Sequence, residues 1–264
     1  MNRAVAAVAA LVVSGCASTA ERPPVGAAPA SGYLEATRLA SLAETIPSPP
    51  TAGSAADIAD KATSDRYRAL QGGDRWLLAT AHAELRPVFG LPHFDCVLGT
   101  RLASTPTPRL TALFDKVLHD ANDAAERVKA RAFRARPVAD DPMRTPCQRV
   151  TEAQRRTPSY PSGSAAVGAA YGEVLAALTP DRATQTRRIG HEIAVSRVVC
   201  GMHYSTDAEV GEALGIAVAK AIVATPAFQA DRAEARAELD TARSAGLTNP
   251  ACAAERSTLA APLP

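Results

Sequence analysis

Between Thr107 and Arg134, in TPRLTALFDKVLHDANDAAERVKARAFR, the apolar residues Leu110, Leu113, Phe114, Val117, Leu118, Ala121, Ala124 and Val128 recur at intervals of three and four. That is one face of an amphipathic helix laid on a core, and it predicts a helix over 108–134. Downstream the period remains helical. Thr107-Pro108, Thr179-Pro180 and Thr225-Pro226 each set a hydroxyl that can cap before a proline at the first helical position, where a missing N–H is harmless. The pattern predicts further helices near 164–178, 180–200, 206–224 and 226–244, the last stopping before Gly246. No alternating strand pattern and no repeat interrupts it. The expected fold class is all-α, with the helices after Pro108 forming a compact bundle.

The N-terminal pattern is different. Arg3 is followed by an apolar run from Ala4 to Val13 and then by VSGC ending at Cys16. This is the charged and apolar layout of a secretory signal over 1–15, and the run is too short to span a membrane. VSGC also resembles a bacterial lipobox, in which Cys16 would be lipidated and become the new N-terminus; an ordinary signal peptide with an incidental cysteine is the alternative. Ala17 after that cysteine favours an anchor in the outer membrane facing the periplasm. ASTAERPPVGAAPAS, from Ala17 to Ser31, has little to bury and reads as a flexible tether over 16–31. PSPPTAGS, from Pro47 to Ser54, marks a loop. The remainder, 32–264, is expected to form a single domain.

Composition narrows the partners. A net charge of +2 gives no basis for a nucleic-acid partner, and no basic run with interleaved aromatics appears. The cations are nearly all arginine, so Lys129, one of only four lysines with Lys61, Lys116 and Lys220, is more informative than a lysine usually is. Setting Cys16 aside leaves Cys96, Cys147, Cys200 and Cys252, an even number in a chain expected to reach an oxidising compartment. Two disulfides are expected, in any of three connectivities; no CxxC spacing supports a zinc site instead.

Three stretches concentrate polar residues that a solvated face does not explain. KARAFRARP places Lys129 and Arg136 seven residues apart, two helical turns, so that both cations would project from one side of the helix before Pro137 ends it. SYPSGS supplies Ser162, Gly163 and Ser164 at the start of a helix of small residues, where free N–H groups suit an anion. SRVVCGMHYSTD holds Arg197, His203 and Asp207, with Gly201 expected to end the incoming helix and leave His203 on the turn. A carboxylate four residues after an imidazole can fix its tautomer and free the other nitrogen as a nucleophile. Each stretch alone has an ordinary structural explanation.

In order and company, the three stretches resemble the signature of the type 2 phosphatidic acid phosphatase superfamily: Lys, six residues, Arg-Pro; then Pro-Ser-Gly-His; then Ser-Arg, five residues, His, three residues, Asp. The flanking wording, SYPSG and SRVVCGMH, is most similar to bacterial class A non-specific acid phosphatases. The resemblance covers roughly Leu110 to Lys220, inside a catalytic core of about 108–224. It implies an all-helical phosphomonoesterase that needs no metal or other cofactor and works through a phosphohistidine. Carried over position by position, His203 would be the nucleophile and Asp207 its orienting partner. Lys129, Arg136, Ser162, Gly163 and Arg197 would bind the phosphoryl oxygens, which agrees with a chemistry that needs chiefly positioning and charge stabilisation.

The departure is Ser164, which stands where the family has the histidine that protonates the leaving alcohol. A serine hydroxyl is far too weak an acid for that work. A positioned general acid contributes about 10²–10⁴-fold, so its loss is expected to cost about 3–5 kcal/mol of transition-state stabilisation for poor leaving groups, and less for aryl esters. His191 is rotated well off the Arg197 face and is not expected to substitute. His82, His93 and His119 lie outside the motif as surface or packing residues. The alternatives are a phosphate-binding pseudoenzyme, a vanadium haloperoxidase with the same cradle, and a lipid phosphatase brought to head groups by its anchor. Substrate, disulfide pairing and oligomeric state are not legible in the sequence.

Overall fold

The computed structural model describes residues 31–264. The expected signal sequence, Cys16 and the tether up to residue 30 lie outside the described residues. Among those residues every regular element is helical. Short helices come first: α1 (Ala36–Glu44), α2 (Ala55–Arg66), α3 (Asp74–Ala81), and the single turns α4 (Pro87–Gly90) and α5 (Asp95–Leu98). The long α6 (Pro108–Lys129) follows, then the single turns α7 (Pro137–Asp140) and α8 (Glu152–Arg155). The rest is α9 (Gly163–Leu178), α10 (Ala183–Val199), α11 (Ser205–Val223), α12 (Pro226–Ser244) and α13 (Cys252–Ala260). No single helix here is long and apolar enough to cross a membrane.

The centre of the bundle is α9, because it has no polar face to offer solvent. Of its residues only Ser164, Glu173 and Ala177 escape full burial, and a helix apolar all round must be enclosed by others. It is enclosed by α6, α10 and α11. Small residues let these helices approach closely: a Cβ added at Gly215 would lie 2.1 Å from the Ala166 carbonyl oxygen, and one at Gly190 would lie 2.8 Å from that of Gly168. On α6 the predicted stripe is the buried one, with Leu118 half-buried at its edge. Phe114 on that stripe meets Tyr171 of α9 edge to face, 4.9 Å between centroids, and truncating so buried an aromatic costs about 3–5 kcal/mol.

The predicted span of α6 needs correction. It ends at Lys129, with Ala130 as its C-cap, not at 134. Arg136 has an extended backbone, φ −79° and ψ 153°, as a residue before proline prefers, and Arg134 is drawn into the interior. Of the three Thr-Pro starts, Thr225 caps as expected through its hydroxyl, which accepts from Phe228 N–H. Thr107 makes no side-chain cap, and the Thr179 hydroxyl turns back to the Leu175 carbonyl. The segment after Thr179 opens with one 3₁₀ turn before α10 begins.

All four cysteines in the described part are paired. Cys96 is bonded to Cys252, fastening α13 to α5, and Cys147 is bonded to Cys200, fastening a long loop to the end of α10.

Candidate active site

Four short pieces of chain deliver the predicted residues to one place: the end of α6, the extended stretch before Pro137, the start of α9, and the turn between α10 and α11. They surround a polar cavity of about 170 Å³ lined by Lys129, Arg136, Gly163, Ser164, Arg197 and His203. Lys129 and Arg136 thus converge on one cavity, but through a bend in the chain; they do not share a helix face as the spacing suggested. Ser162 and Asp207 stand behind the lining.

Gly201 makes the turn, at φ +73°, where only glycine is unstrained. Two residues on, His203 is buried with its Nδ1 2.8 Å from the Ser159 carbonyl oxygen. A carbonyl only accepts, so Nδ1 carries the hydrogen and Nε2 presents a lone pair to the cavity, where it meets Arg136 Nη1 at 3.1 Å. Burial, then the charges of Arg136, Arg197 and Lys129, hold the imidazole well below its ordinary pKa. The ring is therefore an unprotonated base aimed into a field of cations.

Asp207 does not touch that ring directly. Its Oδ2 accepts from the Ser159 hydroxyl at 2.6 Å and from Tyr204 N–H at 2.8 Å, while its Oδ1 accepts from Arg134 at 2.9 Å. The expected orienting contact thus passes through Ser159, whose hydroxyl lies 3.4 Å from Nδ1. Burial raises the Asp207 pKa, opposed by Arg134 and by the Ser159 and Tyr204 donors.

Arg134 is the residue that sequence reasoning passed over. It lies between the two cations of interest and is buried, with Nη1 2.7 Å from Asp60 Oδ2 and Nη2 2.9 Å from Asp57 Oδ1, besides its bond to Asp207. Nothing in KARAFRARP separates an arginine turned inward from one turned to the cavity. The nearest signal is the DIAD stretch of α2, whose two carboxylates lie three residues apart and are both buried.

The cations are unequally occupied. Arg136 gives its hydrogens to Thr157 Oγ1 and to the carbonyls of Met202 and Pro158. Lys129 Nζ is 2.6 Å from Glu126 Oε1. Arg197 is fully buried, and burial followed by the charge of Arg136 lowers its pKa to about 10. Its Nη2 donates to Gln148 Oε1 at 2.8 Å, yet Nε and Nη1 are buried with no partner. Unpaired guanidinium hydrogens cost free energy in isolation, so this arrangement is suited to an oxyanion.

At the start of α9 the Ser162 hydroxyl accepts from Ala165 N–H at 3.2 Å. The N–H groups of Gly163 and Ser164 have no acceptor within the helix, as at any helix start. A Cβ at position 163 would sit 3.5 Å from Lys129 Nζ and 3.6 Å from Asn122 Oδ1, so glycine leaves that approach open. Ser164 is half-buried in the cavity wall. The remaining lining includes Asn122, Gln148, Gln154 and Thr157, neutral donors that no motif announced. Among the described residues no group of histidine, cysteine and carboxylate side chains is gathered as a metal site. His191 pairs with Glu212 on the surface at 2.9 Å, away from the cavity. His82 is buried against Ser196, His93 packs beside it, and His119 lies next to Asp120.

Residues 112–230 match the profile of the PAP2 superfamily. Over 200 residues the chain is 32% identical to an acid phosphatase of Zymomonas mobilis subsp. mobilis, covering 76% of each protein. It is 27% identical over 207 residues to a non-specific acid phosphatase of Providencia stuartii, covering 78% of this chain and 84% of that one. A non-specific acid phosphatase of Salmonella typhimurium is 29% identical over 196 residues, 74% of this chain and 78% of the relative.

Proposed function

This chain belongs to the PAP2 superfamily, and from that membership we propose that it is an acid phosphatase that hydrolyses phosphate monoesters through a phosphohistidine on His203. The observation that carries the reading is Arg197, whose buried Nε and Nη1 lack partners in the same small cavity that receives the free Nε2 of His203. A phosphoryl group there would take its equatorial oxygens to Arg197, Arg136 and Lys129 and to the N–H groups of Gly163 and Ser164. The Arg136 hydrogen now shared with Nε2 would pass to an oxygen as phosphorus approaches the lone pair. Ser159 and Asp207 would stabilise the ring as it gains positive character on bonding to phosphorus. With serine at 164, proton delivery to the leaving oxygen is weak, and aryl esters are the favoured substrates.

The test is hydrolysis of p-nitrophenyl phosphate by the full chain without added metal, with His203→Ala as control. Turnover that His203→Ala abolishes supports the reading, and no turnover above that variant refutes it. Binding of phosphate or vanadate without hydrolysis of any ester would identify a pseudoenzyme.

The expected place of work is the periplasm, with Cys16 lipidated in the outer membrane. Two disulfides support an oxidising compartment. Metabolic labelling with a radioactive fatty acid, lost in Cys16→Ser, checks the anchor.

A further inference from the structure

The lining of the anion cavity contains cations, amides and hydroxyls but no carboxylate. One carboxylate stands at its edge. Glu126 lies one turn before Lys129 on α6, with a half-exposed side chain and Oε1 2.6 Å from Lys129 Nζ. That ammonium is in turn 3.5 Å from where a Cβ at 163 would be, so Glu126 and the start of α9 flank a single lysine. Asn122, one turn earlier, lines both the anion cavity and a wider groove of about 740 Å³ along α6, and Glu126 lines that groove. An ester whose phosphoryl group fills the cavity has room beyond Asn122 for its alcohol portion, next to Glu126.

We propose that Glu126 gives the leaving oxygen the proton that Ser164 cannot supply; this rests on the phosphatase reading above. Lys129 neutralises the Glu126 carboxylate. A bound phosphoryl dianion competes for the same ammonium, which releases the Glu126 carboxyl group toward the groove where the alcohol portion lies. The other charged or titratable groups lining that groove are Asp115, His119, Asp123 and Arg127 on the same helix and Glu35 across from it, and Arg136 from the stretch before Pro137 also interacts with the Glu126 charge.

In the first half-reaction the Nε2 lone pair forms the N–P bond and the P–O ester bond breaks, its electron pair staying on the alcohol oxygen. The Glu126 proton goes to that oxygen and the alcohol leaves. In the second, the Glu126 carboxylate takes a proton from the water whose oxygen bonds to phosphorus. The N–P electron pair then returns to Nε2 and phosphate is released.

Four full-length proteins decide the matter: unaltered, Glu126→Gln, Ser164→His and the double variant, each assayed on p-nitrophenyl phosphate and on glycerol phosphate across pH. We expect Glu126→Gln to lower kcat for the alkyl ester at least about tenfold more than for the aryl ester. In the Ser164→His background that extra alkyl loss should shrink to below about threefold, since the new histidine takes over the proton. Equal losses on both esters would overturn the assignment and leave Glu126 as a positioner of Lys129, while aryl turnover that depends on His203 would still stand. No turnover by the unaltered protein would overturn both.

Discussion

The backbone carbonyl of Ser159 holds His203: it accepts the Nδ1 hydrogen at 2.8 Å, and the Ser159 hydroxyl hands the contact on to Asp207 at 2.6 Å. Tautomer and charge stabilisation are therefore divided between a main-chain atom and a side-chain relay. Ser159→Ala keeps the carbonyl and cuts the relay, so kcat on an aryl phosphate should fall about 10- to 100-fold, roughly 1.4–2.7 kcal/mol, with the protein still folded. A kcat equal to that of the unaltered chain would show that the carbonyl suffices.

The titration of His203 follows from its burial and from Arg136, Arg197 and Lys129, all of which push its pKa well below 6.5. A base with a lowered pKa stays unprotonated as the pH falls through 6.5, which suits work in mild acid. NMR titration of the ring C–H should place the transition well below 6.5, and Arg136→Gln should move it upward. A midpoint at or above 6.5 in the unaltered protein would contradict this. The same sign governs stability: the unfolded chain takes the proton first, so stability conferred by neutral His203 and by buried His82 is lost as the pH falls below about 6.5.

Ser164→His puts an imidazole at the position where the family resemblance expects the leaving-group acid. Position 164 is in the cavity wall within the first turn of α9, where a longer side chain can reach the mouth. In the Glu126→Gln background turnover of alkyl esters should rise about 10²-fold or more and of aryl esters much less, with a smaller alkyl gain where Glu126 is kept. The same gain on both would show that position 164 does not act on the leaving group.

Arg134 binds three buried carboxylates at once. Arg134→Met would leave Asp60 and Asp207 without their cation and Asp57 with Lys61 alone, and should cost about 3–5 kcal/mol of stability by urea denaturation at neutral pH. A loss under about 1 kcal/mol would mean that the cluster relaxes into water.

The Cys147–Cys200 bond closes a loop of 53 residues next to the Gln148–Arg197 contact. Replacing both cysteines with serine should lower stability by about 4 kcal/mol and raise KM as Arg197 loses its brace. Unchanged KM with lowered stability would confine the bond to a structural role.

The long helices were legible because their stripes are local: Leu110 through Val128 predicts α6, and Thr225-Pro226 predicts both the start and the cap of α12. The end of α6 was not, because the residues from Ala130 to Arg136 have good helical propensity and are pulled out of the helix by the pre-proline geometry at 136 and by carboxylates on α2, remote in sequence. The motif identified six residues that line the cavity. It could not find Ser159, which acts through its main chain as well as its hydroxyl, nor Asn122, Gln148, Gln154 and Thr157, whose amides and hydroxyl look like any surface residue until tertiary contacts gather them. Disulfide pairing was equally a matter of distant contacts.

Arg134 sets a minimum length for a working protein. The family match starts at residue 112, but two of the three carboxylates around Arg134 belong to α2, and Asp60 also caps α11 by accepting from Thr206 N–H at 3.0 Å. A fragment trimmed to the matched segment would keep every motif residue yet surrender the counter-ions that set Asp207 in place. Expression designs and grafts of this site onto another scaffold must carry residues 55–66 along with it.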